Sequence, residues 1–469
     1  MREANAQRNT IDQALYQQDL YRRALEYACE YIADLEDRPP YPTPEALVNL
    51  EQFDQALPTS PTAASVLLAQ LHNVGSPATT ALNGGRYFGF VNGGVLPAAL
   101  AARLLADVWD QNAGLAVMSP IAAKLEAVCE TWLAELFGLP EGTALGLVSG
   151  TSAATLCGLL AGRNAILRRQ GWDVNRQGLF GAPPLRVVMS SGAHATVPKA
   201  LAILGIGSDQ MELAPADDKG RFDPLALPPL DKRTILILQA GNVNSGAFDP
   251  FLPLCRAANT AGAWIHIDGA FGLWARACES KSHLTAGVEL ADSWSVDAHK
   301  TLNAPYDCGI VLCRDRGALV SALQASGSYI PPGPRRDGML TTPDMSRRAR
   351  GIELWAALKS LGADGIDQLV AQLCARARQF SSELEARGFR ILNDVVFNQV
   401  LVACESPALT ARTLARIQAG GECWCGGTEW LGEPAIRISV CSWATTEAHV
   451  ARAAAAFDKA REQARFASA

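Results

Sequence analysis

The fold is decided by two runs of sequence, Trp264-Ile265-His266-Ile267-Asp268-Gly269-Ala270-Phe271 and Asp292-Ser293-Trp294-Ser295-Val296-Asp297-Ala298-His299-Lys300-Thr301. Each is a short apolar stretch that ends in polar residues, which is typical of a buried strand that delivers a side chain at its carboxyl end. The first run delivers a carboxylate and the second delivers an amine beside a histidine. The sequence therefore predicts an acid and a lysine at the ends of neighbouring strands.

The chain around these runs alternates between strand and helix patterns from about residue 97 onward. Helices are predicted at residues 121–137, 153–169 and 197–204 from the spacing of their apolar residues. Short apolar runs predict strands at residues 144–148, 185–189, 234–238, 263–267, 292–296 and 308–312. The alternation predicts an α/β domain with a mostly parallel sheet, in which ligands bind beyond the carboxyl ends of the strands.

The two ends of the chain have different patterns. Residues 11–35 have apolar residues at helical spacing and stop at a Pro-rich segment, so they predict a helical arm, followed by two more helices and a glycine-rich loop at residues 83–94. After residue 350 the pattern predicts helices, three strands and an Ala-rich last helix. The predicted organisation is an N-terminal helical arm for dimerisation (1–85), a large domain (86–345) and a smaller α+β domain (346–469).

Composition excludes several classes of function. The formal net charge of -6 and the absence of basic runs argue against a nucleic-acid partner. No run is apolar enough for a signal core or a membrane span, so a cytoplasmic protein is expected. The 12 cysteines include no CxxC pair, which predicts reduced thiols and no metal site.

The lysine and the acid suit one cofactor, pyridoxal 5'-phosphate (PLP). This cofactor needs an amine for its aldehyde and an anion for its pyridinium nitrogen. Lys300 follows a buried strand pattern, where burial lowers the pKa of an amine and favours imine formation, and Asp268 ends the preceding strand. Ala270 is small enough to let a flat ring lie against the backbone. Taken singly, Lys300 could instead be an ordinary surface lysine, and Asp268 could be a residue that only caps the end of its strand.

Further polar residues follow other predicted strands. Thr151 and Ser152 open a helix after residues 144–148, where free amides and hydroxyls can hold the cofactor phosphate. The same pair is also an everyday helix cap. His194 follows another strand and could stack on the cofactor ring and meet the substrate carboxylate, or it could be structural. His299 adjoins the lysine and could reach the phosphate.

Taken together, these motifs resemble the group II PLP-dependent amino-acid decarboxylases, which include the aromatic L-amino-acid, histidine and glutamate enzymes. The resemblance spans essentially the whole chain and rests on an ordered set of segments: 150–156, 191–197, 246–250, 266–270, 297–300, 346–350, 437–442 and 445–450. It implies the aspartate-aminotransferase type of fold (fold type I) and a homodimer with the site at the interface.

The resemblance also implies a role for each site residue. Lys300 would form the internal aldimine with PLP, Asp268 would face the pyridinium nitrogen, and His194 would stack on the ring. Thr151, Ser152 and His299 would contribute to phosphate binding, and Asp297 would be a further cofactor-binding residue. Asn242 stands where the aromatic-acid enzymes usually have threonine, which changes the hydrogen bonding expected on the phenolate side of the cofactor.

The expected reaction is decarboxylation of an L-amino acid to the corresponding amine. Tyr329 stands at the distance from Lys300 where the family has a loop tyrosine that reprotonates Cα. Relatives that make aldehydes often have phenylalanine there or lack the stacking histidine, so the presence of Tyr329 and His194 favours the amine. Three alternatives are an oxidative deaminase that makes an aldehyde, another PLP-dependent lyase, and a non-catalytic PLP-binding protein. The last would be expected to lack Lys300 or Asp268.

Overall fold

The computed structural model describes residues 18–324 and 336–466. Its centre is a seven-stranded sheet in the order β1-β7-β6-β5-β4-β2-β3. β7 runs antiparallel to both of its neighbours, and the other neighbouring pairs are parallel. The strands are β1 (Ala144–Val148), β2 (Arg186–Ser190), β3 (Met211–Ala214), β4 (Thr234–Gln239), β5 (Trp264–Asp268), β6 (Ser293–Asp297) and β7 (Gly309–Cys313).

Six of these strands lie within one residue of the segments predicted from the sequence. Their residues are almost all buried, because the sheet is covered on both faces, and a continuous apolar run is the pattern that such strands require. The strand β3 was missed. It is a four-residue edge strand whose first three residues are not buried, so it has no apolar run to reveal it.

Helices pack on both faces of this sheet. One apolar core joins one face to helices such as α5 and α9, and a second core joins the other face to α6, α8 and α10. The helices between the N-terminus and the last strand of the sheet are α1 (Gln18–Ala33), α2 (Pro44–Asn49), α3 (Ala64–Gln70), α4 (Pro97–Trp109), α5 (Pro120–Leu136), α6 (Thr151–Arg169), α7 (Val174–Gln177), α8 (Thr196–Ile203) and α9 (Phe251–Ala261), and α10 (Arg316–Leu323) follows the sheet. This is the α/β arrangement that the sequence predicts.

The C-terminal part forms a four-stranded antiparallel sheet in the order β10-β11-β9-β8. Three of these strands were predicted, whereas β10 was missed because it begins with two glycines, which are unusual inside a strand. Its elements are α11 (Gly351–Ala386), β8 (Arg390–Ile391), β9 (Gln399–Ala403), α12 (Pro407–Ala419), β10 (Gly426–Trp430), β11 (Glu433–Ser439) and α13 (Glu447–Phe466).

Helix α11 connects the two sheets. It is interrupted at Gly362, whose φ of 61° and ψ of -177° are not helical, which agrees with the two separate helices predicted from the sequence. Leu354 and Ala357, before the interruption, belong to the core of the large sheet. Leu373 and Phe380, after it, belong to the core of the small sheet. The boundaries at residues 85 and 345 remain a prediction, since the packing of α11 is shared between both cores.

The N-terminal helices leave many large apolar side chains exposed, among them Tyr21, Leu25, Ile32 and Val66. The end of this region is fixed to the C-terminal part, because the Glu36 carboxylate lies 2.9 Å from Nε2 of His449. Residues 1–17, where the predicted first helix begins, lie outside the described residues. Within residues 18–324 and 336–466, none of the helices combines the length and the hydrophobicity that a membrane crossing needs.

Candidate active site

A cavity of about 440 Å³ lies beyond the carboxyl ends of the central strands. Such an edge is where ligands bind in open α/β sheets. Most of the site residues proposed from the sequence come together there: Thr151, Ser152, His194, Asp268, Ala270, Asp297, His299 and Lys300 all line the cavity. The folding of distant segments onto one sheet edge therefore creates one site.

The amine of Lys300 is held by a carboxylate at the end of β6, the strand that precedes it. Its Nζ atom lies 3.1 Å from Oδ2 of Asp297. The other oxygen of Asp297 accepts a hydrogen bond of 2.7 Å from the backbone N–H of Thr151, at the start of α6. Lys300 keeps 21% of its side-chain surface exposed, so it is less buried than the sequence pattern predicts. Asp297 therefore fixes both the lysine and the first turn of α6.

Asp268 is in a different situation. It is 5% exposed, and its Oδ1 accepts a hydrogen bond of 3.1 Å from the N–H of Ala270. No cationic side chain in the described parts of the chain lies within ion-pair distance of it. Burial raises the pKa of this carboxyl, while the positive charge of Lys300 and the hydrogen bond from Ala270 oppose the effect. A buried acid of this kind is suited to bind a cationic group of a ligand.

The start of α6 forms the opposite side of the cavity. Thr151 is buried, and its Oγ1 has no hydrogen-bond partner among the described residues, whereas Ser152 is exposed to the cavity. Gly150 is approached closely by β7, since a Cβ on Gly309 would lie 2.3 Å from its Cα. An unpaired hydroxyl at the N-terminus of a 19-residue helix is suited to hold an anion such as a phosphate.

The two histidines of the cavity have the same tautomer, inferred from their hydrogen bonds. The Nδ1 of His299 accepts from the N–H of Cys308 at 3.0 Å, and the Nδ1 of His194 accepts from the N–H of Thr196 at 3.3 Å. In both rings the proton is therefore on Nε2. Burial lowers the pKa of both imidazoles. Each is a neutral ring that can donate one hydrogen bond.

The glycine-rich segment forms another wall. Phe90 and Val91 line the cavity with left-handed φ angles of 54° and 62°, which are strained for residues with side chains. The next glycine, Gly93, lies against the backbone of Lys300, because a Cβ there would be 2.1 Å from the lysine carbonyl oxygen. This close approach joins the wall to the lysine.

Two predicted residues are not found in the cavity. The side chain of Asn242 does not line it: Oδ1 accepts from the N–H groups of Asn244 and Ser245, and Nδ2 donates to the carbonyls of Gly192 and Gly220. Its amide is used to hold a turn, so the proposed contact with the cofactor is not supported by this geometry. Tyr329 lies outside the described residues.

Several lining residues were not identified as site residues from the sequence: Ser149, Thr196, Gln239, Gly241, Val243, Phe271 and Tyr306. A signal existed for Gln239, because it is the polar residue that ends β4. Its Oε1 is buried without a partner among the described residues. Near the cavity, Arg437 is part-buried, has no acid partner in the described part of the chain, and contributes to lowering the pKa of His194.

These residues fit PLP. The lysine amine, the unpaired buried carboxylate of Asp268 and the unpaired hydroxyl of Thr151 match its aldehyde, its pyridinium nitrogen and its phosphate. Together with the mostly parallel sheet and the smaller antiparallel sheet, they define a PLP-dependent enzyme of fold type I.

Comparison with known proteins identifies the family. The family model described as "Pyridoxal-dependent decarboxylase conserved domain" matches residues 44–403, so the chain belongs to the pyridoxal-dependent decarboxylases. It is a PLP-dependent carboxy-lyase.

Relatives with two kinds of product are similar to the chain. Tyrosine decarboxylase 2 of Arabidopsis thaliana is 26% identical over 442 residues, which cover 86% of this chain and 78% of the relative. Phenylacetaldehyde synthase of the same plant is 26% identical over 367 residues, covering 72% and 74%. The crystal structure of Oryza sativa TDC with PLP and tryptamine has a TM-score of 0.87 and 22% identity, covering 96% of this chain and 99% of that one.

Proposed function

We propose that this enzyme decarboxylates an L-amino acid with an uncharged side chain, releasing the amine and CO2 without consuming oxygen. The observation that carries the proposal is the buried, unpaired carboxylate of Asp268 facing the same cavity as Lys300. When bound, PLP supplies a conjugated ring that accepts the electron pair left when the carboxylate departs as CO2.

The residues of the chain have separate tasks in this proposal. Lys300 would hold the aldehyde carbon, and Asp268 would keep a proton on the pyridine nitrogen, which makes the ring a better electron acceptor. The hydroxyls of Thr151 and Ser152, at the start of α6, would hold the phosphate. His299 would donate from Nε2, since its Nδ1 is already used as an acceptor.

His194 and Arg437 define the side of the cavity proposed for the substrate carboxylate. His194 can donate only from Nε2, because its Nδ1 accepts from Thr196. Arg437 is part-buried, and its guanidinium donates to the carbonyl of Val243, a residue that lines the cavity. A cation without an acid partner among the described residues supplies the positive potential that attracts a carboxylate.

The lining residues also support an uncharged substrate side chain. Within the described residues, the charged groups of the cavity wall are Lys300, Asp268 and Asp297, and each already has a task. The remaining wall is apolar or neutral, with Phe90 and Val243 among its members. A charged side chain would lose its hydration there without gaining an opposite charge.

The exposed apolar surface supports the homodimer implied by the sequence. Large apolar side chains are exposed on α1 and also on α4, where Leu104, Leu105, Val108 and Trp109 are between 46% and 75% exposed. Apolar patches of this kind mark interaction surfaces. Light scattering of the purified protein tests the dimer, and a monomer at micromolar concentration would contradict it. The cytoplasmic location stays a prediction.

The test of the function is a combined CO2 and oxygen electrode measurement on PLP-loaded protein. The substrates are the common amino acids together with ornithine, diaminobutyrate and dihydroxyphenylalanine, and the control is Lys300→Ala. We expect CO2 release without oxygen uptake, and only for substrates with uncharged side chains. Oxygen uptake in step with CO2 release would indicate the aldehyde-forming alternative, and preference for a charged side chain would contradict the proposed substrate class.

A further inference from the structure

Tyr306 lines the cavity, although neither the motifs nor the proposed chemistry gives it a task. It is the sixth residue after Lys300, and it contacts two other parts of the site. Its ring packs on His299, and its hydroxyl donates a hydrogen bond to Asn92.

The ring of Tyr306 fixes the orientation of His299. The two ring centroids are 4.3 Å apart and the planes are inclined by 30°. The Nδ1 atom of the imidazole accepts a hydrogen bond from the N–H of Cys308, so two contacts hold the ring. The Nε2–H group is left free toward the cavity, with Nε2 3.6 Å from Oδ2 of Asp297. A side chain that is held in advance loses less entropy when it donates to a bound anion.

The hydroxyl of Tyr306 fixes the wall formed by the glycine-rich segment. Its O–H donates to Oδ1 of Asn92 over 2.9 Å. An ordinary tyrosine phenol is protonated at neutral pH, so this hydroxyl is a donor there. Asn92 directly follows Phe90 and Val91, the two residues with left-handed φ angles. Strained backbone persists only where its surroundings hold it, and this hydrogen bond is one such contact.

The backbone around Tyr306 is itself anchored. Its carbonyl accepts a hydrogen bond of 2.9 Å from the guanidinium of Arg103. The next residue, Asp307, forms ion pairs with Arg348 and Arg350, at 3.0 and 3.1 Å. These contacts come from α4 and from the segment before α11, so Tyr306 is attached to elements outside the cavity.

We propose that Tyr306 is a positioning residue with two separable actions: its ring orients His299 for the phosphate of PLP, and its hydroxyl, through Asn92, holds the Phe90 wall against the substrate side chain. The second action rests on the proposed function, whereas the first requires only that PLP binds. Tyr306→Phe removes the hydroxyl and keeps the ring, and Tyr306→Leu removes both, so the two variants separate the actions.

The first test measures the dissociation constant of PLP by fluorescence quenching of the apo-protein. We expect Tyr306→Leu to raise this constant about three- to tenfold, the usual effect of losing an aromatic contact. Tyr306→Phe should stay within about twofold of the wild type. Equal weakening by both variants, or none by Tyr306→Leu, would overturn the role of the ring. Circular dichroism of each variant shows whether it is folded.

The second test measures KM and kcat with the amino acid identified by the electrode measurement. Tyr306→Phe and Asn92→Ala should each raise KM roughly fivefold with kcat nearly unchanged, and the double variant should be no worse than either single one. Additive effects, or a fall in kcat alone, would overturn the role of the hydroxyl. The matched control is Tyr31→Phe, which removes a hydroxyl contact of the same 2.9 Å length to Thr79; neither of these residues lines the cavity. If no amino acid releases CO2, the proposed function fails, and the PLP measurement still decides the action of the ring.

Discussion

The Nζ atom of Lys300 lies 3.1 Å from Oδ2 of Asp297, three residues earlier in the chain. This pairing distinguishes the two acids that face the cavity. Asp297 is occupied by the lysine and by the backbone of Thr151, whereas Asp268 has no ion-pair partner among the described residues. The free acid is therefore the one that can serve the cofactor ring, and the paired acid is the one that places the lysine.

Lys300→Ala should abolish the visible absorbance that PLP shows when it is bound covalently to an enzyme lysine. The amine is the only lysine nitrogen on the described wall of the cavity, so no neighbour is placed to substitute for it. The measurement is an absorbance spectrum of the protein after it has been loaded with PLP and dialysed to remove the free cofactor. Lys199→Ala, at an exposed position on α8, is the control and should keep the spectrum. An unchanged spectrum for Lys300→Ala would remove Lys300 from its role.

Asp268→Asn should keep the visible absorbance but lose CO2 release by about 10²–10³-fold, the usual effect of removing one preorganised electrostatic contact. The amide keeps the shape of the carboxyl, but it cannot hold a proton on a pyridine nitrogen. The control is Asp292→Asn, since Asp292 is also a strand-flanking acid but lies at the opposite end of β6, where it accepts from the N–H of Ile265. A near-normal rate in Asp268→Asn would mean that the ring does not depend on this acid.

Asp249 gives a prediction about stability and pH. It is buried and accepts from the N–H groups of Phe222 and Gln239, and burial raises its pKa from 3.8 to about 6. The folded state therefore binds a proton more tightly than the unfolded state, so this group makes the protein less stable as the pH rises from about 4 to about 6.

Asp249→Asn removes this titration. Over the same pH range, the wild type should lose on the order of 3 kcal/mol of unfolding free energy relative to the variant. Urea unfolding of the two apo-proteins from about pH 4 to about pH 7 measures the difference, with Asp218→Asn, at an exposed position, as the control. A difference that is constant with pH would show that Asp249 does not titrate in this range.

The sequence predicted the parts of the site that lie at strand ends. Asp268 and Lys300 follow buried apolar runs, and parallel packing brings such ends to one edge without any knowledge of the loops. The start of α6 was predictable for the same reason. These residues were found because their positions depend on local pattern and on the direction of the strands.

The remaining parts depend on how loops fold, which the sequence pattern does not contain. Asn242 was expected at the cofactor, but its amide holds the turn at Asn244 and Ser245. Tyr306 was not identified, because its place over His299 depends on the path of the chain after Lys300. The pairing of Asp297 with Lys300 was also not predicted, although their i,i+3 spacing permitted it.

Tyr329→Phe tests whether the choice between amine and aldehyde depends on Tyr329. In the proposed reaction, the tyrosine returns a proton to Cα after CO2 has left. Without that donor the substrate carbon stays available to oxygen, and the balanced outcome is aldehyde, CO2, ammonia and hydrogen peroxide from the amino acid, oxygen and water. We expect the variant to release CO2 with uptake of oxygen and formation of hydrogen peroxide, while the wild type releases only amine and CO2. An electrode measures the two gases, and a peroxidase-coupled colorimetric assay measures the peroxide. Tyr31→Phe removes a hydroxyl that does not line the cavity and should keep the product of the wild type. If Tyr329→Phe still makes only amine at the normal rate, another group donates the proton, and the role assigned to Tyr329 is wrong.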